Sequence, residues 1–240
     1  EQLMELESLS QEVAEFLKLL VQAGYNIFIS GGTGCGKTTF LNALSAYIPK
    51  TDRVITIEDS AELQFQNVPN LVRLETRNAN GQGAEEISIR DLIRTALRMR
   101  PDRIVVGEVR GAEAWDMFQA MNTGHDGSLS TGHANSDRDM LLRLETMMAM
   151  GEKVDFSVIQ RQIVTGLDIL IHLGRMRDRT RKVLQISELC GIKNGEIYLN
   201  TLYRFQETGV KGEKVHGIWK KESSLQNRQK LEEKGLAYSG

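Results

Sequence analysis

Residues Gly31 to Thr39 read G-G-T-G-C-G-K-T-T, in which Gly31-x-x-x-x-Gly36-Lys37-Thr38 has the spacing of a phosphate-binding loop. The chemistry needs these residue types. Gly31, Gly32, Gly34 and Gly36 let the backbone amides of the loop, those of Thr33 and Cys35 among them, surround an anion without a Cβ in the way. Lys37 supplies charge to the outer phosphates, the Thr38 hydroxyl suits Mg2+, and Thr39 leads a helix whose positive end faces the same point. A second set of groups follows: Glu58, Asp59 and Glu62 in the run I-E-D-S-A-E, Glu108 after I-V-V-G, and His133 after S-L-S-T-G. Phosphoryl transfer requires such a set, cations to spread charge and a carboxylate to orient or deprotonate water.

These groups must be carried by elements that bring them together. Tyr25 to Ile29 and Arg53 to Ile57 read as buried strands, Ile104 to Gly107 as a third and Gly127 to His133 as a fourth. They end in the glycine loop, in Glu58-Asp59, in Glu108 and in His133, and ligands of open α/β sheets sit beyond the carboxyl ends of the strands. The residue before Glu108 is Gly107, where an Asp would commonly help to hold Mg2+, so the acidic run at Glu58, Asp59 and Glu62 would have to share that shell.

The remaining pattern alternates in the same way. Leu6 to Leu20 recur at helical spacing, with Ser8 and Gln11 as a capping box and Gly24 as the stop. Leu71 to Arg77 alternates as a strand whose wet face carries Arg73 and Arg77, and a mobile loop through Asn78, Asn80, Gly81 and Gly83 follows. Ser88 caps a helix from Ile89 to Met99, a helix spans Ala112 to Met121, Ser136 with Asp139 resembles a capping box for a helix to Met150, and another runs from about Asp155 to Gly166. Ile169 to Leu173 is again a strand. Val183 to Leu189 and Glu196 to Phe205 flank the hairpin signal Asn194-Gly195, and Ser223 or Ser224 starts a last helix ending near Gly235. Alternating strands and helices predict an α/β fold with a mostly parallel sheet and helices on both faces. The division expected is a leading helix or linker over 1–24, a core over 25–173 and a C-terminal β-rich appendage with a final helix over 174–240.

A chain of 240 residues with 40% hydrophobic and 26% charged residues has a core of ordinary size, which excludes disorder and fibrous repeats. A net charge of −2 argues against a dedicated nucleic-acid binder. Cys35 and Cys190 stand far apart, so neither a disulfide framework nor a zinc site is indicated and a reducing cytoplasm is the simpler setting. No stretch is apolar for long enough to span a membrane, and Glu1 to Glu5 does not resemble a signal peptide, so any membrane contact is expected to be peripheral. Because the chain opens on Glu1 rather than Met, it reads as a piece of a longer protein.

The glycine loop, I-E-D-S-A-E, V-V-G-E-V-R-G and S-T-G-H-A-N-S resemble the Walker A, Asp box, Walker B and His box of the secretion-superfamily ATPases of type II and type IV systems. The wording R-T-A-L-R-M-R-P-D-R and A-M-N-T-G-H-D-G-S is most similar to the CpaF-like branch that powers tight-adherence (Flp) pilus assembly. The resemblance covers roughly residues 10 to 205. It implies a RecA-like P-loop fold that binds ATP or ADP with Mg2+, works as a homo-oligomeric hexamer in the cytoplasm, and meets inner-membrane platform proteins of a pilus or secretion machine. It further implies an N-terminal domain ahead of the motor, with no counterpart in these residues. Carried over by position, Glu58 is the general base, Glu108 a metal-water or water-orienting group, Asp59 and Thr38 metal neighbours, His133 a γ-phosphate sensor, and Arg73 and Arg77 arginine fingers. Cys35 departs from the usual small Ser or Ala.

Each role has a plainer competitor. Glu58 could be a strand-end charge, His133 a satisfied core histidine, and Arg73 and Arg77 solvated strand residues. The run Arg175, Arg177, Arg179, Arg181, Lys182 reads first as a solvated turn and second as a contact for a partner or anionic lipid. Cys35 reads either as only a small residue that fits or, as a thiol among loop amides at a helix N-terminus, as an activated one with a depressed pKa that reacts faster than Cys190. Other functions to separate are conjugation or effector export within the same superfamily, a nucleotide-gated binding module, and a DNA translocase.

Overall fold

Strand β1 (Ile27–Gly31) is buried at every position, and its alternation sets the two sides of the molecule. Ile27 and Ile29 enter one apolar cluster and Phe28 the opposite one. The computed structural model describes residues 2–79 and 85–238; the Gly/Asn-rich loop expected to be mobile therefore lies largely outside the described residues. The other strands are β2 (Arg53–Glu58), β3 (Asn70–Glu75), β4 (Arg103–Val106), β5 (Leu129–Gly132), β6 (Ile169–Arg175), β7 (Arg181–Lys193), β8 (Glu196–Lys211) and β9 (Lys214–Lys221). They form one nine-stranded sheet in the order β3-β2-β4-β5-β1-β6-β7-β8-β9. From β3 to β6 every pairing is parallel, and from β6 to β9 every pairing is antiparallel.

The helices are α1 (Gln2–Glu5), α2 (Gln11–Ala23), α3 (Lys37–Ser45), α4 (Ile89–Ala96), α5 (Glu113–Met121), α6 (Asp137–Gly151), α7 (Phe156–Gly166) and α8 (Gln229–Glu233). One face of the sheet carries α2 and α3 and the other carries α4 to α7, so helices cover both faces as the alternation predicts. The two faces explain why β2 carries apolar residues of both parities, since Val54 packs to one side and Ile55 and Ile57 to the other. Among the described residues no helix is long and apolar enough to cross a membrane.

Several local expectations shift. The leading helix is capped by Ser10 rather than Ser8: the Ser10 Oγ accepts from the Val13 amide, and Gly24 ends the helix at φ 86°. Ser88 and Asp91 form the full reciprocal box, whereas Ser136 only accepts from Asp139. The final helix is confined to Gln229–Glu233 because its proposed starter is already engaged. The Ser223 hydroxyl donates to Asn200 Oδ1 and Thr201 O of β8, and the buried Glu188 carboxylate accepts from the Gln226 and Asn227 amides. The C-terminal strands set apart as an appendage continue the core sheet through the β6–β7 ladder, and they include β9, which the hairpin reading did not anticipate. Val183, Ile186, Leu202 and Tyr203 share one cluster with Val13, Leu17 and Leu20 of α2.

Candidate active site

Neighbouring strands β2, β4, β5 and β1 point the same way, so the loops after them open on one edge of the sheet. There they surround a cavity of about 540 Å³ lined by Thr33, Gly34, Gly36 to Thr39, Glu58, Asp59, Glu62, Gly107, Glu108, His133 and two arginines, Arg110 and Arg181. Gly31 and Gly32 belong to the loop's entry, where their carbonyls accept from Lys37 Nζ at 3.1 and 3.3 Å. Gly36 caps α3 at φ 95°, a left-handed conformation, and the first turn of the helix faces the cavity.

Lys37 is buried, and burial holds its pKa below the ordinary lysine value despite the nearby Glu108 charge. Its ammonium lies 3.3 and 3.5 Å from the two ring nitrogens of His133. Burial first, and the Lys37 charge second, lower the His133 pKa, so the imidazole is neutral at pH 7. His133 Nε2 stands 2.7 Å from Glu108 Oε1, but off the N–H axis: that oxygen is buried and has no hydrogen-bond partner among the described residues. The other Glu108 oxygen is held by Arg110 Nη2 at 2.5 Å, and Arg110 Nη1 approaches Asp59 Oδ2 at 3.7 Å.

Glu58 is buried at the end of β2, and its Oε1 accepts from the Glu62 and Leu63 amides at 2.9 and 2.8 Å. Gly107 makes room for it. A Cβ at residue 107 would lie 3.1 Å from Glu58 Cγ, so the absence of a side chain before Glu108 leaves room for Glu58. Below them, Ser130 and Thr131 of β5 donate to the Val106 and Gly107 carbonyls at 2.9 and 2.7 Å and fix the turn that carries Glu108.

The residues fit Mg2+, which is held by one or two carboxylates together with substrate phosphates rather than by an all-protein cage. Thr38 Oγ1 faces Glu62 Oε2 at 3.4 Å, Glu108 offers an orphaned oxygen, and Asp59 is half exposed beside it. Among the described residues no group of three or more His, Cys, Asp or Glu could enclose a metal unaided.

Arg73 and Arg77 do not join this set. Both are exposed on or just beyond β3, the edge strand, and Arg77 donates to the Glu85 carbonyl at 3.2 and 3.3 Å. Cys35 does not have the depressed pKa expected of an activated thiol. Its thiol is buried beneath the loop, and burial pushes its pKa up, outweighing Lys37 and the loop amides; Cys190 is pushed up to about 12 by burial first and by Glu188 second. Sequence reasoning passed over Arg110, although it stands in the quoted V-V-G-E-V-R-G, and it left Arg181 within a basic turn.

The family model for type II/IV secretion system proteins matches residues 2–216. A putative conjugal transfer protein of Mycobacterium tuberculosis is 42% identical over 170 residues, covering 71% of this chain and 48% of that one. The type IV secretion system protein PtlH of Bordetella pertussis is 41% identical over 165 residues, covering 67% and 48%. The chain thus spans about half the length of these relatives. Among solved structures, the VirB11 ATPase of the Brucella suis type IV secretion system, in complex with sulphate, superposes with a TM-score of 0.66 at 33% identity, covering 76% of this chain and 54% of that one. With a matching model that spans nearly the whole chain and a glycine loop, carboxylates and histidine gathered on one cavity, the chain belongs to the type II/IV secretion system protein family.

Proposed function

We propose that this cavity binds ATP with Mg2+ and hydrolyses it to ADP and phosphate, and that the cycle drives a secretion or pilus machine from the cytoplasmic side of the membrane. The observation that carries the reading is the convergence of Lys37, Glu58, Glu108 and His133 on one cavity, large enough for a nucleotide, beside the glycine loop. In this reading the loop amides and Lys37 hold the outer phosphates. Thr38, Glu108 and Asp59 would hold the metal, which supplies charge neutralisation at the phosphates when bound. Glu58 serves as general base through the oxygen that does not hold the 62–63 backbone, and Glu108 orients the attacking water or the metal-water shell. Neutral His133, between Lys37 and Glu108, answers the arrival of the terminal phosphate. That the VirB11 ATPase of B. suis is described with sulphate, a phosphate-like anion, supports anion binding.

Arg73 and Arg77, exposed on the far edge strand, are assigned to a neighbouring subunit's nucleotide in a homo-oligomeric ring, hexameric by the family resemblance. The tight-adherence pilus role rests on the motif wording, with inner-membrane platform proteins as partners. The similarity to conjugal transfer and type IV secretion proteins favours export as the second reading. No nucleic-acid contact is included.

Nucleotide binding by calorimetry and steady-state phosphate release test the site together. Lys37→Ala should weaken phosphate affinity on the order of a hundredfold. Glu108→Gln should bind ATP as the parent does and lose turnover by about 10²-fold or more. Unchanged turnover in either variant would falsify the site assignment; binding without turnover in the parent protein would favour a nucleotide-gated module.

A further inference from the structure

The basic run 175–182 is a solvated turn only in part: Arg175, Arg177, Arg179 and Arg181 are exposed, but several of its cations are engaged. Arg177 pairs with Glu207, and Lys182 is buried with its Nζ donating to the Glu7 carbonyl, 5.5 and 5.9 Å from the rings of Phe205 and Trp219. The turn itself is pinned. Asp178 accepts from the amide and hydroxyl of Thr180 and from the Val215 amide of β9, and the Thr180 hydroxyl holds its carboxyl down at about 2. Arg181 is what this turn delivers. It opens β7, donates Nε–H to the Gly34 carbonyl at 2.8 Å and lines the phosphate cavity.

Three further observations distinguish Arg181 from an ordinary surface arginine. Its terminal amino groups have no partner among the described residues, and no described carboxylate lies within 4.0 Å of it, in contrast to Arg110, which is neutralised by Glu108 and Asp59. Its direct cross-strand partner is Arg175, so two like charges face each other across the ladder, an arrangement that is destabilising unless an anion relieves it. A Cβ at Gly36 would come within 3.1 Å of Arg181 Cδ, so the loop's glycine also admits the arginine.

We infer that Arg181 is a phosphate-binding residue supplied in cis by the antiparallel half of the sheet, its free amino groups taking the inner phosphates while Nε holds the loop. The inference rests on the nucleotide reading above. It makes nucleotide binding a clamp between the glycine loop and the β6–β7 turn, and it explains why the sheet extends past β6 next to the site.

The test is calorimetric titration of ADP and of inorganic pyrophosphate into the parent chain, Arg181→Ala and Arg181→Lys. Arg181→Ala should weaken both ligands alike, on the order of tenfold to a hundredfold, the range for hydrogen bonds to charged groups. Arg181→Lys, which keeps the charge, should recover much of that loss. Equal loss in the two variants would reduce Arg181 to a prop for the Gly34 carbonyl, loss for ADP alone would make it a base contact, and no loss would remove it; each overturns the inference. If the parent chain binds neither ligand, the nucleotide reading itself fails. Ligand-free thermal melts check folding, and Arg181→Gln replaces the alanine variant should that one not fold.

Discussion

Glu58 has two kinds of work at the end of β2, and they can be separated by substitution. Its Oε1 satisfies two backbone amides that the chain would otherwise leave without a partner as it turns away from the sheet. Glu58→Ala should therefore lower stability by roughly 1–3 kcal/mol, the cost of orphaned buried donors, whereas Glu58→Gln keeps an acceptor and should melt close to the parent. Thermal denaturation of the two variants without nucleotide checks this; equal melting would leave Glu58 with no structural role. Cys35 carries the opposite lesson. The helix N-terminus and Lys37 do favour a thiolate, but a buried sulfur loses more from desolvation than those groups return.

At the scale of elements, α6 is tied to the antiparallel strands by a buried acid. Asp137, the first residue of α6, accepts from Ser187 Oγ at 2.6 Å and Gln185 Nε2 at 2.9 Å of β7, and its Oδ1 is buried without a hydrogen-bond partner among the described residues. Burial raises its pKa from 3.8 to about 7, against the opposing effects of Ser187, Gln185 and Arg204. The folded chain thus keeps a proton that the unfolded chain releases near pH 4. Stability from this group is full below that value, falls as pH rises toward 7, and is flat above, by an amount on the order of a few kcal/mol. Asp137→Asn retains an acceptor and does not titrate. Its melting temperature should drop less between about pH 5 and pH 8 than the parent's does; parallel curves would show that Asp137 is already ionised in the fold. Since Asp137 lies four residues beyond His133, this tie also anchors the loop that carries the imidazole.

For the whole molecule, the proposed ring would divide the cations between subunits. Arg181 and Lys37 reach the cavity from within one chain, while Arg73 and Arg77 lie exposed on the edge strand β3. If the edge arginines serve a neighbour, a lone subunit binds ATP and turns it over slowly, because a trans arginine can be worth ~10³-fold in related NTPases. Specific activity should then rise with protein concentration. A mixture of an Arg73→Ala, Arg77→Ala subunit with a Lys37→Ala subunit should regain activity that neither has alone, since each can complete a site with the other. A dead mixture beside a parent whose turnover is independent of concentration would place those arginines outside the reaction.

The glycine loop, the carboxylates and His133 were legible in the sequence because each stands at the end of a short apolar strand, and parallel strands must open their loops on one edge. The helices were legible for a similar reason, their apolar period and caps being local. What the sequence did not contain was distance between segments far apart in the chain. Gly107 looked like a missing ligand, but a Cβ there would press on Glu58 Cγ at 3.1 Å. The C-terminal strands read as an appendage because pairing across the β6–β7 ladder and the shared cluster with α2 are non-local. The basic run read as a solvated turn because nothing in its own residues says that Arg181 meets Gly34, 147 positions away. Local periodicity determined which elements form; burial and long-range register, which only the folded chain possesses, decided which charges meet the phosphate site.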